Sequence, residues 1–156
     1  MKAWRIGGGS HPVFTGEGAR LFGGRWNSPG FPVIYCGSSF AICMLERLVW
    51  SGIGHVPKND RYVTAEFPES FVENLDESVL PDWQVEGSAA ARRFGDQWLS
   101  DRRSAVLSLP SAVTGIDRNF LVNPHHPDFG SIVPSDEHPV EWDRRLFGER
   151  TNPAIK

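Results

Sequence analysis

The sequence predicts a single α+β domain of 156 residues, and three observations predict it. The chain is near the size at which one core forms, and no Pro-, Gly- or Ser-rich linker divides it. Apolar positions follow a helical period in two segments and a period of two in several shorter ones. Those helical segments fall between groups of strand-like segments instead of alternating with them, which favours α+β over a doubly wound sheet. There is no internal repeat and no low-complexity tract.

Taken in order, Lys2 to Ile6 reads as a first strand, followed by a Gly-Gly-Gly-Ser turn (Gly7 to Ser10) and a long loop that contains Gly23-Gly24-Arg25-Trp26-Asn27. Val33 to Cys36 is the second strand. Ser38 or Ser39 caps a helix in which Ala41, Met44, Leu45, Leu48 and Val49 make the core-facing stripe, and Gly52 or Gly54 stops it. Arg61 to Phe67 alternates, with Val63, Ala65 and Phe67 on one face, and Pro68 ends it. Ser88 to Ser100 is a second helix with Ala91, Phe94 and Trp98 on one face; Gly95 within it costs about 1 kcal/mol of helix propensity. Val106 to Leu109, Asn119 to Val122 and Val140 to Leu146 supply three further strands.

A net charge of -3 excludes the surplus of Lys and Arg on which nonspecific nucleic-acid binding depends. Any contact with DNA is therefore expected to come through a partner. With two cysteines, Cys36 and Cys43, no apolar N-terminal run and no segment long enough to cross a bilayer, a reduced cytoplasm is the expected setting and no membrane association is expected. Six Trp and ten Phe suit a well-filled core with some aromatic surface left for a ligand.

Five stretches carry chemistry. Arg25 sits among Gly23, Gly24 and Gly30, where missing side chains let backbone N–H groups and a guanidinium approach a phosphate together. Trp26 can stack on a planar ring or plug the core, and Asn27 can fix hydroxyls or a carboxamide. Tyr35 ends an apolar strand. Glu46 lies among Ile42, Cys43, Val49 and Trp50, so its carboxylate either pairs with an arginine such as Arg47 or faces a cavity. Ser111 follows a strand with no Gly-x-Ser-x-Gly elbow around it, which makes it a ligand-binding hydroxyl or a turn serine and not an acyl nucleophile. Asn123 and His126 are expected to shape a loop over the site. The neighbouring His125 and His126 point apart on an extended chain, so no metal site is expected.

In order along the chain, Trp4-Arg5-Ile6, Gly18-Ala19, Gly23-Gly24-Arg25-Trp26-Asn27, Val33-Ile34-Tyr35, Glu46, Pro110-Ser111-Ala112 and Asn119 to Pro124 with His126-Pro127 resemble the RES-domain family, the toxins of Xre-RES toxin-antitoxin pairs. The match runs over nearly the whole chain, and residues 1–156 are expected to form one RES domain. The resemblance implies a fold like that of ADP-ribosyltransferase toxins, with central mixed or antiparallel sheets and flanking helices. It implies consumption of NAD+ as substrate by cleavage of the nicotinamide–ribose bond.

On the same resemblance Arg25, Glu46 and Ser111 correspond to the three residues that name the family. Glu46, Arg25 and Tyr35 are the expected catalytic residues, with Arg5, Trp26, Asn27, Ser111 and Asn123 binding substrate. Cleavage develops positive charge on the ribose, so one carboxylate near the ring suffices while nicotinamide departs without a strong acid. A cognate Xre-family antitoxin is implied, covering the active site and supplying the DNA contact. The acceptor of ADP-ribose stays open among water, phosphate and a side chain of a target protein, with small acceptors placed first. A noncatalytic partner-binding module is the reading from outside enzymology. A protein target would need a docking platform, for which Ser51 to Asp60 and Ser131 to Glu141 are the candidates.

Overall fold

Alternating side chains and Gly/Pro punctuation along the chain produce eight strands and three α-helices in the structure, a computed structural model that describes residues 1–52 and 54–148. Residues 149–156 of the expected domain, and Ile53 within the Ser51 to Asp60 segment, lie outside the described residues. The strands are β1 (Lys2–Gly8), β2 (Ile34–Gly37), β3 (Asp60–Glu66), β4 (Val72–Asn74), β5 (Val106–Pro110), β6 (Arg118–Val122), β7 (Val133–Pro134) and β8 (His138–Pro139). They form one sheet in the order β4-β5-β6-β2-β1-β3-β7, with β8 also paired to β3. Every pairing is antiparallel except β4 with β5, which makes the sheet mixed.

The helices are α1 (Glu17–Phe22), α2 (Phe40–Ser51) and α3 (Ala89–Asp101). Ser39 caps α2 by accepting from the Ile42 N–H, and Ser88 caps α3 by accepting from the Ala91 N–H. Gly52, at φ 82°, ends α2 in a backbone conformation that other residues rarely adopt.

Two expectations are corrected. Val140 to Leu146 is no strand: Asp143 caps a short 3-10 turn at Arg144–Phe147, and the edge of β3 is covered instead by the two-residue strands β7 and β8. The core-facing stripe of α2 is also different, because its buried residues are Ile42 and Cys43, while Ala41, Leu45 and Val49 are exposed. The cause is Gly37 on β2. A β-carbon there would stand 2.5 Å from Ile42 Cγ2 and 2.8 Å from Cys43 Sγ. The missing side chain lets that face of α2 settle on the sheet, and the helical period then turns Glu46, one turn beyond Ile42 and Cys43, toward the same side.

Strand alternation sorts the core into two clusters. Ala3, Ile34, Cys36, Ala65, Phe120 and Val122 pack together in one. Leu107, Leu109 and Leu121 pack with Trp26, Trp83, Ala91 and Trp98 in the other, where α3 lies. Tyr35 belongs to the α3 side. Burial pushes the thiols of Cys36 and Cys43 up to about 12, so neither is a nucleophile at neutral pH. No helix among the described residues is long and apolar enough to cross a membrane.

Candidate active site

Glu46 is the centre of a three-residue cluster drawn from separate elements. Its Oε1 accepts from Ser111 Oγ at 2.9 Å and from Asn119 Nδ2 at 2.7 Å. Its other oxygen, Oε2, accepts no hydrogen bond among the described residues. Ser111 is buried just after β5 and its hydroxyl is oriented by accepting from the Val113 N–H at 3.1 Å. Asn119 lies on β6, where its backbone is opposite Gly37.

The arginine alternative for Glu46 does not hold. Adjacent helix residues point about 100° apart, and Arg47 instead makes a bidentate pair with buried Asp60, Nε to Oδ2 and Nη2 to Oδ1, both 2.9 Å. That pair ties α2 to the start of β3 and leaves the Glu46 carboxylate without a cation. The carboxylate is held on one oxygen by two neutral donors, and its other oxygen is free to accept.

A second group surrounds Tyr35. Its hydroxyl donates to Asn27 Oδ1 at 2.7 Å and accepts from the Trp26 N–H at 3.1 Å. Burial pushes its pKa well above the ordinary tyrosine value, against the smaller opposing effects of the Trp26 N–H and the Arg25 and Arg5 charges. The phenol therefore stays protonated and donating throughout the neutral range. Arg25 Nη1 donates to the carbonyls of Trp83, Gln84 and Val85 at 3.0–3.1 Å. Its Nε and Nη2 find no acceptor among the described residues. Gly24 makes room for this arrangement: a β-carbon there would lie 2.5 Å from the Tyr35 hydroxyl.

Strand register brings the two groups onto one sheet face. Tyr35 pairs with Leu121, and Gly37 pairs with Asn119, so Tyr35 and Asn119 are diagonal neighbours roughly 7–8 Å apart. The Glu46 cluster and the Arg25–Tyr35 group thus share one face, flanked by α2 and by the Gly23–Asn27 loop seated on α3. A cavity of about 280 Å³ lined by Phe14, Arg20, Ile34, His125 and Phe129 contains none of these residues, and lies on the Ile34 side of β2.

Four residues expected to bind substrate are engaged with the scaffold. Arg5 donates to the carbonyls of Val13, Tyr35 and Thr15, and burial lowers its pKa. Trp26 is a core plug, stacked on Trp83 with centroids 6.0 Å apart. Asn27 is fully buried; its Nδ2 donates to the carbonyls of Ala19, Ser28 and Phe31. Asn123 donates to the Leu99 carbonyl at 3.0 Å and so ties β6 to the end of α3. It stands four residues beyond Asn119, about 13 Å along the strand, so it does not shape a loop over Glu46. Nor does His126, which caps the 3-10 turn at Pro127–Ser131 by accepting from the Asp128 N–H.

Sequence reasoning missed Asn119, whose role depends on a register visible only once β2 and β6 pair. It also missed Asp96 of α3, which accepts from the Ser28 N–H at 2.7 Å and hydroxyl at 2.6 Å and anchors the glycine-rich loop. The acidic residue one position after Gly95 was the available signal. Among the described residues, no group of three or more His, Cys, Asp or Glu is placed to hold a metal ion.

Fold and site together define a single mixed-sheet domain with one carboxylate at the centre of its candidate site. The chain belongs to the RES domain family, whose description matches residues 2–143. It is 34% identical over 138 residues to the Prs ADP-ribosylating toxin of Sphingobium sp. (strain YBL2), covering 85% of this chain and 86% of that one. A shorter segment of 44 residues is 50% identical to the NAD(+) phosphorylase MbcT of Mycobacterium tuberculosis (strain ATCC 25618 / H37Rv), 28% of this chain and 24% of that one. The fold is shared with the toxin in the crystal structure of the M. tuberculosis MbcT-MbcA toxin-antitoxin complex, with a TM-score of 0.71 at 20% identity, over 95% of this chain and 87% of that one.

Proposed function

We propose that this chain is a toxin that consumes NAD+ by breaking the bond between nicotinamide and ribose. The observation that carries the reading is Glu46, held on Oε1 by Ser111 and Asn119 with Oε2 unengaged. As the bond from C1′ to the pyridinium nitrogen breaks, its electron pair stays with nitrogen and nicotinamide leaves neutral. Positive charge then develops on the ribose, and a fixed carboxylate stabilises it more than it stabilises the bound ground state. The acceptor bonds to C1′; water or a side-chain acceptor releases its proton to solvent, and an anionic phosphate oxygen has none to lose. Tyr35, protonated and fixed by Asn27 and Trp26, supplies a rigid ring and hydroxyl beside the ribose. Arg25 holds the pyrophosphate through Nε and Nη2.

Arg25→Ala is expected to weaken NAD+ binding by about 1.5–3 kcal/mol, the range for hydrogen bonds to charged groups. Equilibrium titration in a Glu46→Gln background, where the ligand is not consumed, measures this, and unchanged affinity removes the phosphate-clamp role.

Free ADP-ribose or its 1-phosphate is the first product reading, supported by the relative named NAD(+) phosphorylase. Transfer to a protein is the second, and a specific observation favours it. Val49 and Trp50, 64% and 79% exposed, lie three and four residues past Glu46 on the same side of α2. Beside that helix the two segments expected to form a platform are joined, the Val140 N–H donating to the Asp60 carbonyl at 2.9 Å. The broadly matching relative named an ADP-ribosylating toxin agrees with it.

A partner follows from the same chemistry, since an unchecked NAD+-consuming enzyme poisons its own cell. We assign that role to a cognate antitoxin of the Xre type that covers the Glu46 face, makes any DNA contact, and acts with the toxin in the bacterial cytoplasm. MbcT was crystallised with MbcA in a toxin-antitoxin complex, which supports an antitoxin partner.

The test is nicotinamide release by purified protein from labelled NAD+, with and without phosphate, and with cell lysate. Release stimulated by phosphate with no labelled protein supports the first product reading. A discrete labelled band that needs Glu46 supports the second. No release under any of these conditions overturns the enzyme and leaves the binding module.

A further inference from the structure

A carboxylate that stabilises charge on the ribose needs a group to orient it and a second contact for the sugar. Asn119 bears on both. Its Nδ2 donates to Glu46 Oε1 at 2.7 Å, and this fixes the amide orientation, since a carboxylate oxygen beside it accepts from the NH₂ and not from the carbonyl. The other end of the same amide is then determined. Asn119 Oδ1 is buried and has no hydrogen-bond partner. A buried acceptor left unpaired is destabilising, and native proteins retain few of them. This one stands within an amide's width of the catalytic cluster, on the face that carries Tyr35.

We propose that Asn119 is the positioning residue for Glu46 and that its free Oδ1 accepts a hydroxyl of the ribose as substrate binds. Two donors on one carboxylate oxygen hold the carboxylate plane against rotation, so Oε2 is presented in one direction. Ser111 cannot do this alone, because a single hydrogen bond leaves the carboxylate free to swing about it. Oε2 and Asn119 Oδ1 together make a pair of acceptors, which suits the adjacent hydroxyls of a furanose and gives the orphan carbonyl its missing donor. Ser111 Oγ, the other group on Glu46 Oε1, is already engaged as an acceptor by the N–H groups of Val113 and Thr114.

This inference rests on the NAD+-cleaving reading, and the experiment separates the two. Wild-type protein, Asn119→Ala, Asn119→Asp, Glu46→Gln and the double variant Asn119→Ala/Glu46→Gln are compared for kcat and KM of nicotinamide release, and for thermal midpoint. Asn119→Ala is expected to lower kcat about 10–100-fold, the cost of losing one hydrogen bond to a charged group, with KM raised less than kcat falls. Asn119→Asp keeps the acceptor and the shape but sets a second carboxylate against Glu46, and is expected to be at least as impaired. In the Glu46→Gln background the Asn119→Ala change is expected to add less than about threefold, because the pair acts as a unit.

Wild-type release with equal kcat in Asn119→Ala overturns the inference and leaves the enzyme reading standing. So do multiplicative losses in the double variant, or activity losses that merely follow a collapse in thermal midpoint in both Asn119 variants. Absence of nicotinamide release by wild-type protein removes the reading on which the inference rests.

Discussion

Glu46→Gln is expected to reduce nicotinamide release from NAD+ by at least about 10²–10³-fold while leaving the fold intact. The size follows from what the substitution removes. Loss of one preorganised electrostatic group aimed at developing charge costs that much in other enzymes, and here the group carries the full negative charge opposite the ribose cation. The preserved fold follows from the hydrogen bonds. A glutamine side chain has the same shape, and its carbonyl oxygen can accept from Ser111 Oγ and Asn119 Nδ2 as Glu46 Oε1 does. What changes is the unengaged position, where an uncharged NH₂ donor replaces the charged acceptor Oε2. Because the loss falls mainly on the transition state, kcat should fall far more than KM rises. Thermal midpoint and NAD+ affinity are the controls. A Glu46→Gln protein that turns over NAD+ at the wild-type rate removes Glu46 from the mechanism.

The residues that could be read from the sequence are those whose chemistry is local. Strands β1, β2, β3, β5 and β6 and helices α2 and α3 all follow from periodicity and capping, with ends shifted by one or two residues, because strand and helix periods are written in neighbouring positions. What stayed hidden depends on pairing across the chain. β4 is three residues long and exists only because β5 offers it a parallel partner. α1 is a six-residue helix with no buried residue, so it has no apolar stripe to announce it. The exposure of Leu45 and Val49 was hidden for a related reason: a five-residue apolar stripe looks like a core face until Gly37 admits Ile42 and Cys43 in its place. At the site, the prominence of Trp26 and Asn27 beside Arg25 suggested ligand contact. Both turned out to build the loop that presents Arg25 and Tyr35, a distinction set by burial and not by residue type.

Gly95 provides the second large effect, and the sign of its substitution is opposite to the helical rule. Replacing a helix-interior glycine by alanine ordinarily stabilises by about 1 kcal/mol. In α3, however, a β-carbon on Gly95 would stand 1.8 Å from the Trp26 carbonyl oxygen and 2.8 Å from its carbonyl carbon. Backbone, not a flexible side-chain end, occupies the space, so the glycine-rich loop as a whole must lift. That loop is pinned by Asp96 to Ser28, by Asn27 to three carbonyls and by Trp26 to Trp83, and lifting it strains all three. Gly95→Ala is therefore expected to destabilise by about 1–3 kcal/mol, as overpacked cores do, with a fall in thermal midpoint of about 2–4 °C for each kcal/mol in a chain of this size. Activity should fall with it, because the Trp26 N–H fixes the Tyr35 hydroxyl and the same loop carries Arg25. Gly18→Ala in α1 is the matched control: nothing lies within 4 Å of a β-carbon there, and that variant should be unchanged or slightly more stable. A Gly95→Ala protein as stable and as active as wild type would mean that the loop does not rest on α3 at this point, and that the close seating of Trp26 is not what positions Arg25 and Tyr35.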